Sequence, residues 1–494
     1  MITKAIKLLT DRLSTSEIQE RILQGSVWMF VGVFITKIFD LLSIIIIARI
    51  LTPDEFGRLS IIKSSTFTFI LFSVGCFGVT ATKYIAKFIT DDKEKCENIL
   101  SYLRVIIPVL SLLLSLFVFF LSESIAQKVL NDISLNIAVK LTSIAIFFSS
   151  LNSFQKGILA GLEKFKTISL ISVFSGFFTT ILIVTSAYNY GLEGVFFALP
   201  INSFILWLFS IHHTLKALSD SDLHFQFGNF KYFKSVLKKF TLPSFLSGML
   251  VSPTTLYCNI LLINIADGYT QMAIYTAAYN FSLISTTINN VVGNVLYPVV
   301  IKSFNSGKIF VDKFNIYSPF FLSIIINTPL IFFPEIMGLT FGDNYSNRAS
   351  YITLIVVLNF TIIFSLTQGI SRNFAAANKM WLGLLSNIVW CLITIFSMIL
   401  LKKFGAIGRS SAFLIGYFIT NMFFIPLYIK KSLIPKGTLS LNILIIFVIV
   451  FFSNLFFILD VKNILLRLIF MLITFIAYYK YFKKSFKTQE ILNK

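Results

Sequence analysis

The feature that most constrains this chain is a long apolar run, SVWMFVGVFITKIFDLLSIIIIARI, at positions 26–50. A helix needs about 20 such residues to cross the hydrocarbon core of a membrane, so this run is long enough to span it. Lys37 and Asp40 lie near its middle, about ten residues from the ends. At ~1.5 Å per residue, a lysine stem at that depth is too short to reach either membrane surface. The two charges therefore need partners inside the protein.

The rest of the chain has the same apolar character. It is 56% hydrophobic and only 13% charged, with a mean hydropathy of +0.84, whereas soluble domains carry about 25% charged residues. No polar stretch is long enough to bury a core of its own, and the longest, at 216–239, is predicted to be a loop. We therefore predict an all-α, polytopic membrane protein.

The apolar runs predict about fourteen transmembrane helices. The spans fall at 26–48, 59–82, 102–122, 136–156, 168–188, 192–212, 242–264, 273–298, 317–340, 350–371, 381–401, 408–429, 441–459 and 463–481. The two tails and the even-numbered connections, with the helix ends that flank them, hold 30 of the 42 Lys and Arg residues. Basic residues concentrate on the cytoplasmic side of membrane proteins, so both termini are predicted to be cytoplasmic. The local exception is the group after the eleventh span, Lys402, Lys403 and Arg409.

Glycine-marked segments recur at a nearly constant spacing, which predicts an internal duplication. YGLEG and FGAIG begin 214 residues apart, at 190 and 404, while Gly157 and Gly369 are 212 apart and Gly78 and Gly293 are 215 apart. Six helices per half would give both halves one orientation, with a twofold axis along the membrane normal and a central cavity. The predicted segments are a cytoplasmic N-terminal surface helix (1–24), a first six-helix half (25–215), a cytoplasmic linker (216–240), a second half (241–431) and an added hairpin with a cytoplasmic tail (432–494).

Several classes of protein are disfavoured by what the sequence lacks. The four cysteines are scattered without CxxC spacing and the three histidines have no ligand-like neighbours, so we predict neither a disulfide framework nor a metal site. The net charge of +20 follows the membrane topology, so it does not indicate nucleic acid. There is no Walker pattern, so ATP is not the direct energy source. No nucleophile-and-base pair or carboxylate pair stands out, so we predict no enzymatic activity and no cofactor.

Several short motifs occur in a characteristic order. They are G-S-x-W at 25–28, A-R-x-L-x-P-x-E-F-G at 48–57, K-Y-I-A following Gly78, G-x-L-x-G at 157–161 and L-T-F-G-D-x-Y at 339–345. Together, over the first twelve spans, they resemble the oligosaccharide flippases of the MOP exporter superfamily. The resemblance implies a bacterial inner-membrane flippase that moves an undecaprenyl-diphosphate-linked sugar repeat unit, such as an O-antigen unit, to the periplasmic face. It also implies membrane lipids, a polysaccharide polymerase and chain-length proteins as partners.

The diphosphate of such a substrate calls for fixed positive charge, which a low-dielectric cavity makes more effective. The predicted binding cations are Lys37, Lys63, Lys140, Arg104 and Arg372. The alternative for Lys37 is a structural ion pair with Asp40, which lies one turn further along the helix. Coupling to H⁺ or Na⁺ stays open, and Asp40 is preferred over Asp267 and Glu335 as a proton carrier.

The sugar calls for neutral hydrogen-bonding groups that face water, and three spans carry stripes of them at helical spacing. The stripes are Thr361, Ser365, Gln368 and Arg372 in the tenth span, Ser282, Thr286 and Asn289 in the eighth, and Thr142, Ser149, Asn152 and Lys156 in the fourth. As sets, together with Asp40, they predict the lining of a cavity. Taken singly, each is better explained by hydrogen bonding between helices.

Two other functions share some of these features. An ion-coupled multidrug exporter of the same superfamily would share the twelve-helix core, but embedded lysines suit an anionic headgroup better than a cationic drug. A membrane glycan polymerase or ligase would be expected to hold its acceptor in a large outer loop, and every predicted outer loop is short. We therefore predict a flippase, with the multidrug exporter as the alternative.

Overall fold

The computed structural model describes residues 17–74, 77–89, 91–224, 226–241, 245–246, 249–304, 309–377, 379–434 and 463–487. Within these ranges the chain forms helices and turns, with no strand, as the sequence predicts. The helices are α1 (Glu17–Ile50), α2 (Pro53–Val74), α3 (Phe77–Phe88), α4 (Lys93–Phe120), α5 (Asn136–Gly161), α6 (Phe165–Asp220), α7 (Phe230–Val236), α8 (Val251–Ile263), α9 (Gly268–Phe304), α10 (Ile309–Phe332), α11 (Ile336–Phe341), α12 (Arg348–Ala376), α13 (Met380–Leu401), α14 (Gly405–Lys430) and α15 (Ile464–Lys487).

The chain is a multi-pass membrane protein. Seven helical stretches in the described ranges are long and apolar enough to cross a membrane, and two of them, Phe165–Asp220 and Trp381–Lys430, each contain two predicted spans. The thirteenth predicted span, 441–459, lies outside the described residues, so the count of fourteen stays a prediction. Most of the predicted surface helix at 1–24 also lies outside them, and α1 begins at Glu17 without a break before the first span.

The duplicated glycine segments have duplicated local geometry. Gly191 bends α6 with φ +59° and ψ −145°, and Gly405, 214 residues later, has φ +59° and ψ −132° at the start of α14. These angles lie in a region that residues with a side chain rarely adopt. At Gly194 and Gly408 a Cβ atom would come within 2.4 and 1.9 Å of a carbonyl oxygen of the preceding segment. The two motifs therefore form the same turn in both repeats.

A second repeat pair has different neighbours. A Cβ atom on Gly157 would meet the backbone of Gly78 in α3, at 2.5 Å from the carbonyl oxygen. A Cβ atom on Gly369 would instead meet Asn315 and Ile316 of α10. Both glycines allow close helix packing, but against helices that do not correspond. The superposition of the two complete halves stays a prediction.

Helix α2 begins at Pro53, within the A-R-x-L-x-P-x-E-F-G motif, whereas the sequence predicts that the second span begins at residue 59. Thr52 and Glu55 form a capping box, in which the Glu55 N–H donates to Thr52 Oγ1 at 3.3 Å and the Thr52 N–H donates to Glu55 Oε2 at 2.9 Å. Pro53 takes the first helical position, where its missing N–H is harmless. A Cβ atom on Gly57 would lie 1.8 Å from the Tyr269 carbonyl oxygen, so this glycine allows close packing there.

By internal contacts the chain divides into two compact units, Met1–Thr270 and Gln271–Lys494. Helix α8 belongs to the first unit because it packs on α2: the hydroxyls of Thr68 and Ser252 are hydrogen-bonded at 2.9 Å, and Asn259 donates to Ser64 at 3.0 Å. The predicted second half, 241–431, would begin with this helix. The units therefore divide the chain later than the predicted linker at 216–240.

The second unit explains one of the three residues in the local exception to the basic-residue asymmetry, while Lys402 and Lys403 are exposed in the turn before α14. Arg409 is 0% exposed, and its guanidinium carbon lies 3.7 Å from the ring centre of Phe413 and 4.5 Å from that of Tyr275. It is therefore a buried side chain rather than a loop charge. In the same unit, helix α15, which contains the last predicted span, is joined to the loop before α11 by Arg467, which donates to Glu335 at 2.7 Å.

Candidate functional site

The two charges in the middle of the first span form an ion pair. Lys37 Nζ donates to Asp40 Oδ2 at 2.7 Å, and the two side chains are 44% and 38% exposed. A structural pair that has to be hidden from lipid would be buried between helices. This pair lies on an open face of α1, so both charges are accessible from outside the helix packing.

Asp40 brings two further lysines into the same electrostatic environment. Burial has the larger effect on the ammonium groups of Lys63 in α2 and Lys156 in α5, and the Asp40 carboxylate attracts both of them. Lys37 and Lys156 repel one another. We call these four residues, Lys37, Asp40, Lys63 and Lys156, the lysine cluster. With all four ionised, three ammonium groups and one carboxylate leave a net charge of +2.

Helix α1 is oriented by glycines and hydroxyls on one of its faces. A Cβ atom on Gly32 would meet Ser169 of α6 at 2.3 Å, and a Cβ atom on Gly176 of α6 would meet Thr36 of α1 at 3.1 Å. Thr180 also donates to the carbonyl oxygen of Phe39 at 3.0 Å. These contacts attach α1 to α6 and leave Lys37 and Asp40 on an accessible face.

The position of Lys156 is set by the neighbouring motif glycine. Gly157 packs directly on the backbone of Gly78, which brings α5 as close to α3 as two helices can come. The sequence places Lys156 in a polar stripe but not among the binding cations. The sequence does offer one signal for Lys156: it lies one turn after Asn152, on a helix face that carries no other charge. The sequence does not show that Asp40, on a different helix, is a neighbour of Lys156.

One of the predicted cations of the first unit, Lys140, lies apart from Lys156 along the same helix. Lys140 precedes Lys156 by sixteen residues on α5, about 24 Å at ~1.5 Å per residue. Its ammonium lies 5.9 Å from the ring centre of Phe119. Arg104 is half-buried in the first half of α4. The structure therefore places Lys63 within electrostatic range of Asp40, the partner of Lys37, and places Lys140 near the opposite end of α5 from Lys156.

The fifth predicted cation, Arg372, belongs to the second unit. Its Nε donates to Asn315 Oδ1 at 2.6 Å and its Nη2 donates to the Asn315 carbonyl oxygen at 3.1 Å. The space beside it is kept open by Gly293, where a Cβ atom would lie 2.3 Å from Nη1. Arg372 is thus held by helix α10, and its role in binding substrate stays a prediction.

Most of the polar-stripe residues of the second unit form hydrogen bonds within or between helices. Thr361 and Ser365 are each 1% exposed and bond to carbonyl groups of their own helix. The remaining stripe residues comprise Ser282, bonded to the Tyr279 carbonyl, Thr286, bonded to the Ser282 carbonyl, Asn289, bonded to Ser323 at 2.7 Å, and Gln368, bonded to Asn290 at 3.3 Å. In the first unit Asn152 is half-buried, one turn before Lys156. That these groups line a cavity stays a prediction.

The two weaker proton-carrier candidates lie in turns rather than in the membrane spans. Glu335 accepts from Arg467, and Asp267 is exposed in a turn with φ +53°. Within the described ranges no three His, Cys, Asp or Glu side chains come together as a metal site. The lysine cluster is therefore a group of charges within the predicted spans of the first unit that matches the chemistry of an anionic ligand.

The chain is similar to several known proteins. The family model described as "Polysaccharide biosynthesis protein" matches residues 22–304. A "Putative O-antigen transporter" of Shigella flexneri is 21% identical over 410 residues, which cover 79% of this chain and 93% of that protein. The solved structure of lipid II flippase MurJ, in an inward closed conformation, has a TM-score of 0.66 at 17% identity and covers 94% of this chain and 100% of its own. An inward-facing MATE multidrug transporter of the MOP superfamily has a TM-score of 0.65 at 16% identity, covering 81% and 94%.

Proposed function

The chain belongs to the polysaccharide biosynthesis protein family, and we propose that it is a flippase for an undecaprenyl-diphosphate-linked oligosaccharide repeat unit. It moves this unit, of O-antigen or a similar surface polysaccharide, from the cytoplasmic to the periplasmic face of a bacterial inner membrane. Both termini lie in the cytoplasm. A polysaccharide polymerase and its chain-length proteins then use the unit on the periplasmic side.

The observation that carries this proposal is the lysine cluster. A lipid-linked diphosphate has one ionised oxygen on each phosphate, and its charge is complementary to the +2 of the cluster. A cation costs at least ~2.5–3.5 kcal/mol in the middle of a membrane, where Lys37 lies, so a cluster of three lysines and a single carboxylate favours a further counter-charge. A cationic drug would be repelled by the same charges. The cluster therefore favours the flippase over the multidrug exporter.

The geometry also suggests how binding is coupled to the carboxylate. The Lys37 ammonium is held by Asp40 at 2.7 Å, and both side chains are accessible. When a phosphate takes up this ammonium, Asp40 loses its closest partner. Asp40 then keeps only Lys63 and Lys156 of the cluster to balance its charge, and we propose that an H⁺ or Na⁺ ion joins it there. Ion exchange at Asp40 thereby links substrate binding to an ion gradient.

The function is tested first by deletion. In a strain with no second flippase, loss of this protein should leave lipid-linked repeat units on the cytoplasmic side and abolish the surface polysaccharide. Expression of the wild-type chain should restore it. A deletion strain that still displays full-length polysaccharide would contradict the proposal.

The binding role of Lys37 is tested by matched substitutions at equal protein level. Lys37→Arg should keep much of the transport because it keeps the charge, and Lys37→Ala should lose most of it. The ion pair is more than a third exposed, so its loss should change the free energy of unfolding by no more than about 1 kcal/mol. If the double variant Lys37→Leu with Asp40→Leu displayed wild-type polysaccharide, the pair would be structural only.

A further inference from the structure

A short segment outside the lysine cluster covers the predicted cytoplasmic end of α4. We call residues 226–238, which include helix α7, the strap. The Gln226 N–H donates to Ser101 Oγ at 2.9 Å, and Tyr102 donates its hydroxyl to the Gly228 carbonyl at 3.0 Å. Phe233 is buried in a core shared with Cys96 of α4. The inner face of the strap is therefore packed against α4.

The outer face of the strap is basic. Lys231, Lys234 and Lys238 are exposed and spaced by three and four residues, which places them on one side of a helical turn. In the described part of the chain none of the three forms an ion pair, whereas nearby Lys93 is paired with Asp222 at 2.7 Å. That bond holds the pKa of the Asp222 carboxyl below its usual value. The three strap lysines thus remain available to an external anion.

Two exposed aromatic side chains flank these lysines. Phe227 and Phe230 are 51% and 56% exposed, and their ring centres lie 5.2 and 5.5 Å from that of Tyr102. Further rings, of Tyr84, Phe88 and Tyr232, form a chain of contacts beside them. Tyr side chains such as these are enriched at the boundary between the hydrocarbon core and the headgroups of a membrane.

The length of α4 places the strap at that boundary. From Tyr102 to the end of the helix at Phe120 are eighteen residues, or about 27 Å at ~1.5 Å per residue. The hydrocarbon core of a membrane is about 30 Å thick. If the far end of α4 lies at one boundary, Tyr102 and the strap bound to it lie at the other. The lysines are then at the level of the lipid headgroups.

We propose that the strap is a binding surface for anionic phospholipid headgroups. Lys231, Lys234 and Lys238 bind the phosphates of lipids such as phosphatidylglycerol, and Phe227 and Phe230 enter the edge of the acyl region. A basic residue close to an anionic surface strengthens binding by about fivefold, so three together act strongly. The surface is separate from the lysine cluster and does not depend on the proposed function.

The test uses the full-length protein in nanodiscs of phosphatidylcholine alone and of an equal mixture with phosphatidylglycerol. Amide hydrogen exchange of the strap should slow by roughly tenfold or more in the mixture. The variant Lys231→Gln/Lys234→Gln/Lys238→Gln should lose this difference, and the corresponding triple Arg variant should keep it. High salt should weaken the effect, because the charges are exposed.

The matched control is Lys128→Gln/Lys402→Gln/Lys403→Gln, which removes three exposed lysines that lie outside the strap. It should keep the wild-type response to phosphatidylglycerol. Equal thermal unfolding of all variants shows that the fold is intact, as expected for exposed side chains. The proposal is overturned if wild-type strap exchange is the same in both nanodiscs, or if the triple Gln variant keeps the response. Protection that requires an added protein, and not the anionic lipid, would likewise overturn it.

Discussion

Lys156 offers the sharpest test of the lysine cluster, because the sequence alone does not mark it as a binding cation. The substitution Lys156→Gln keeps a polar side chain of similar length and lowers the net charge of the cluster from +2 to +1. Asp40→Asn raises the charge by one. The double variant therefore restores +2 with a different set of residues.

The expected loss follows from Coulomb's law. At a separation of about 6 Å and an effective dielectric constant of about 20, two unit charges attract one another by ~2.8 kcal/mol. Because Lys37 is 44% exposed, water reaches the cluster and screens this attraction. Discounting it by about half leaves ~1.4 kcal/mol, or a tenfold change in affinity. We therefore expect Lys156→Gln to bind a diphosphate lipid about tenfold more weakly.

The assay is equilibrium binding of a fluorescent polyprenyl diphosphate to the purified, full-length protein in detergent. Lys156→Gln should raise the Kd about tenfold, and Lys156→Gln with Asp40→Asn should recover most of the affinity. Lys402→Gln, an exposed lysine in the turn before α14, is the control and should leave the Kd unchanged. An unchanged Kd in Lys156→Gln would refute the assignment of this lysine to the site. A double variant as weak as the single one would refute the charge argument.

Two further predictions concern the fold around the site. Gly191→Ala should lower the free energy of unfolding by about 1–3 kcal/mol, since the backbone angles at this position suit glycine alone. Thermal unfolding checks this, with Tyr190→Ala, a change at the exposed neighbouring residue, as the control. An unchanged melting temperature would mean that the bend in α6 is not required. Cys96 is 0% exposed in the core that it shares with Phe233. Phe233→Ala should lower the stability of this core by about 3–5 kcal/mol. In a variant with Cys96 as its sole cysteine, this change should speed maleimide labelling by ~100-fold or more. Phe227→Ala should leave the labelling slow, and equal rates in both variants would argue against docking of the strap on α4.

The class of fold was readable from the sequence because the membrane imposes a local rule. Within lipid each segment must satisfy its own backbone hydrogen bonds, so an apolar run of sufficient length becomes a helix whatever its neighbours are. The glycine repeats were readable for a similar reason. Gly191 and Gly405 mark the same turn because the backbone angles there exclude other residues, a property of the chain at that point.

The contact between Lys37 and Asp40 was also predictable from the sequence, while its role in a site stays a prediction. Lys37 and Asp40 are three residues apart on one helix, so their contact is set by helical geometry. The stripes on the tenth and eighth spans show the limit of this reasoning. Thr361 and Ser365 have the spacing of a water-facing stripe, yet each is 1% exposed, because a polar side chain can also bond to the carbonyl group one turn before it.

By itself, then, the sequence determined that this chain is a helical membrane protein with charges in its first span and a duplicated turn. Only the tertiary structure decided which of those charges meet. Lys140 and Lys156 are both cations on α5, but Asp40 acts on Lys156 while Lys140 lies at the ring of Phe119. Arg409 likewise becomes a buried side chain through the rings of Tyr275 and Phe413. Periodicity describes one helix at a time, whereas the energy of a charge within a membrane depends on the groups that other helices bring to it.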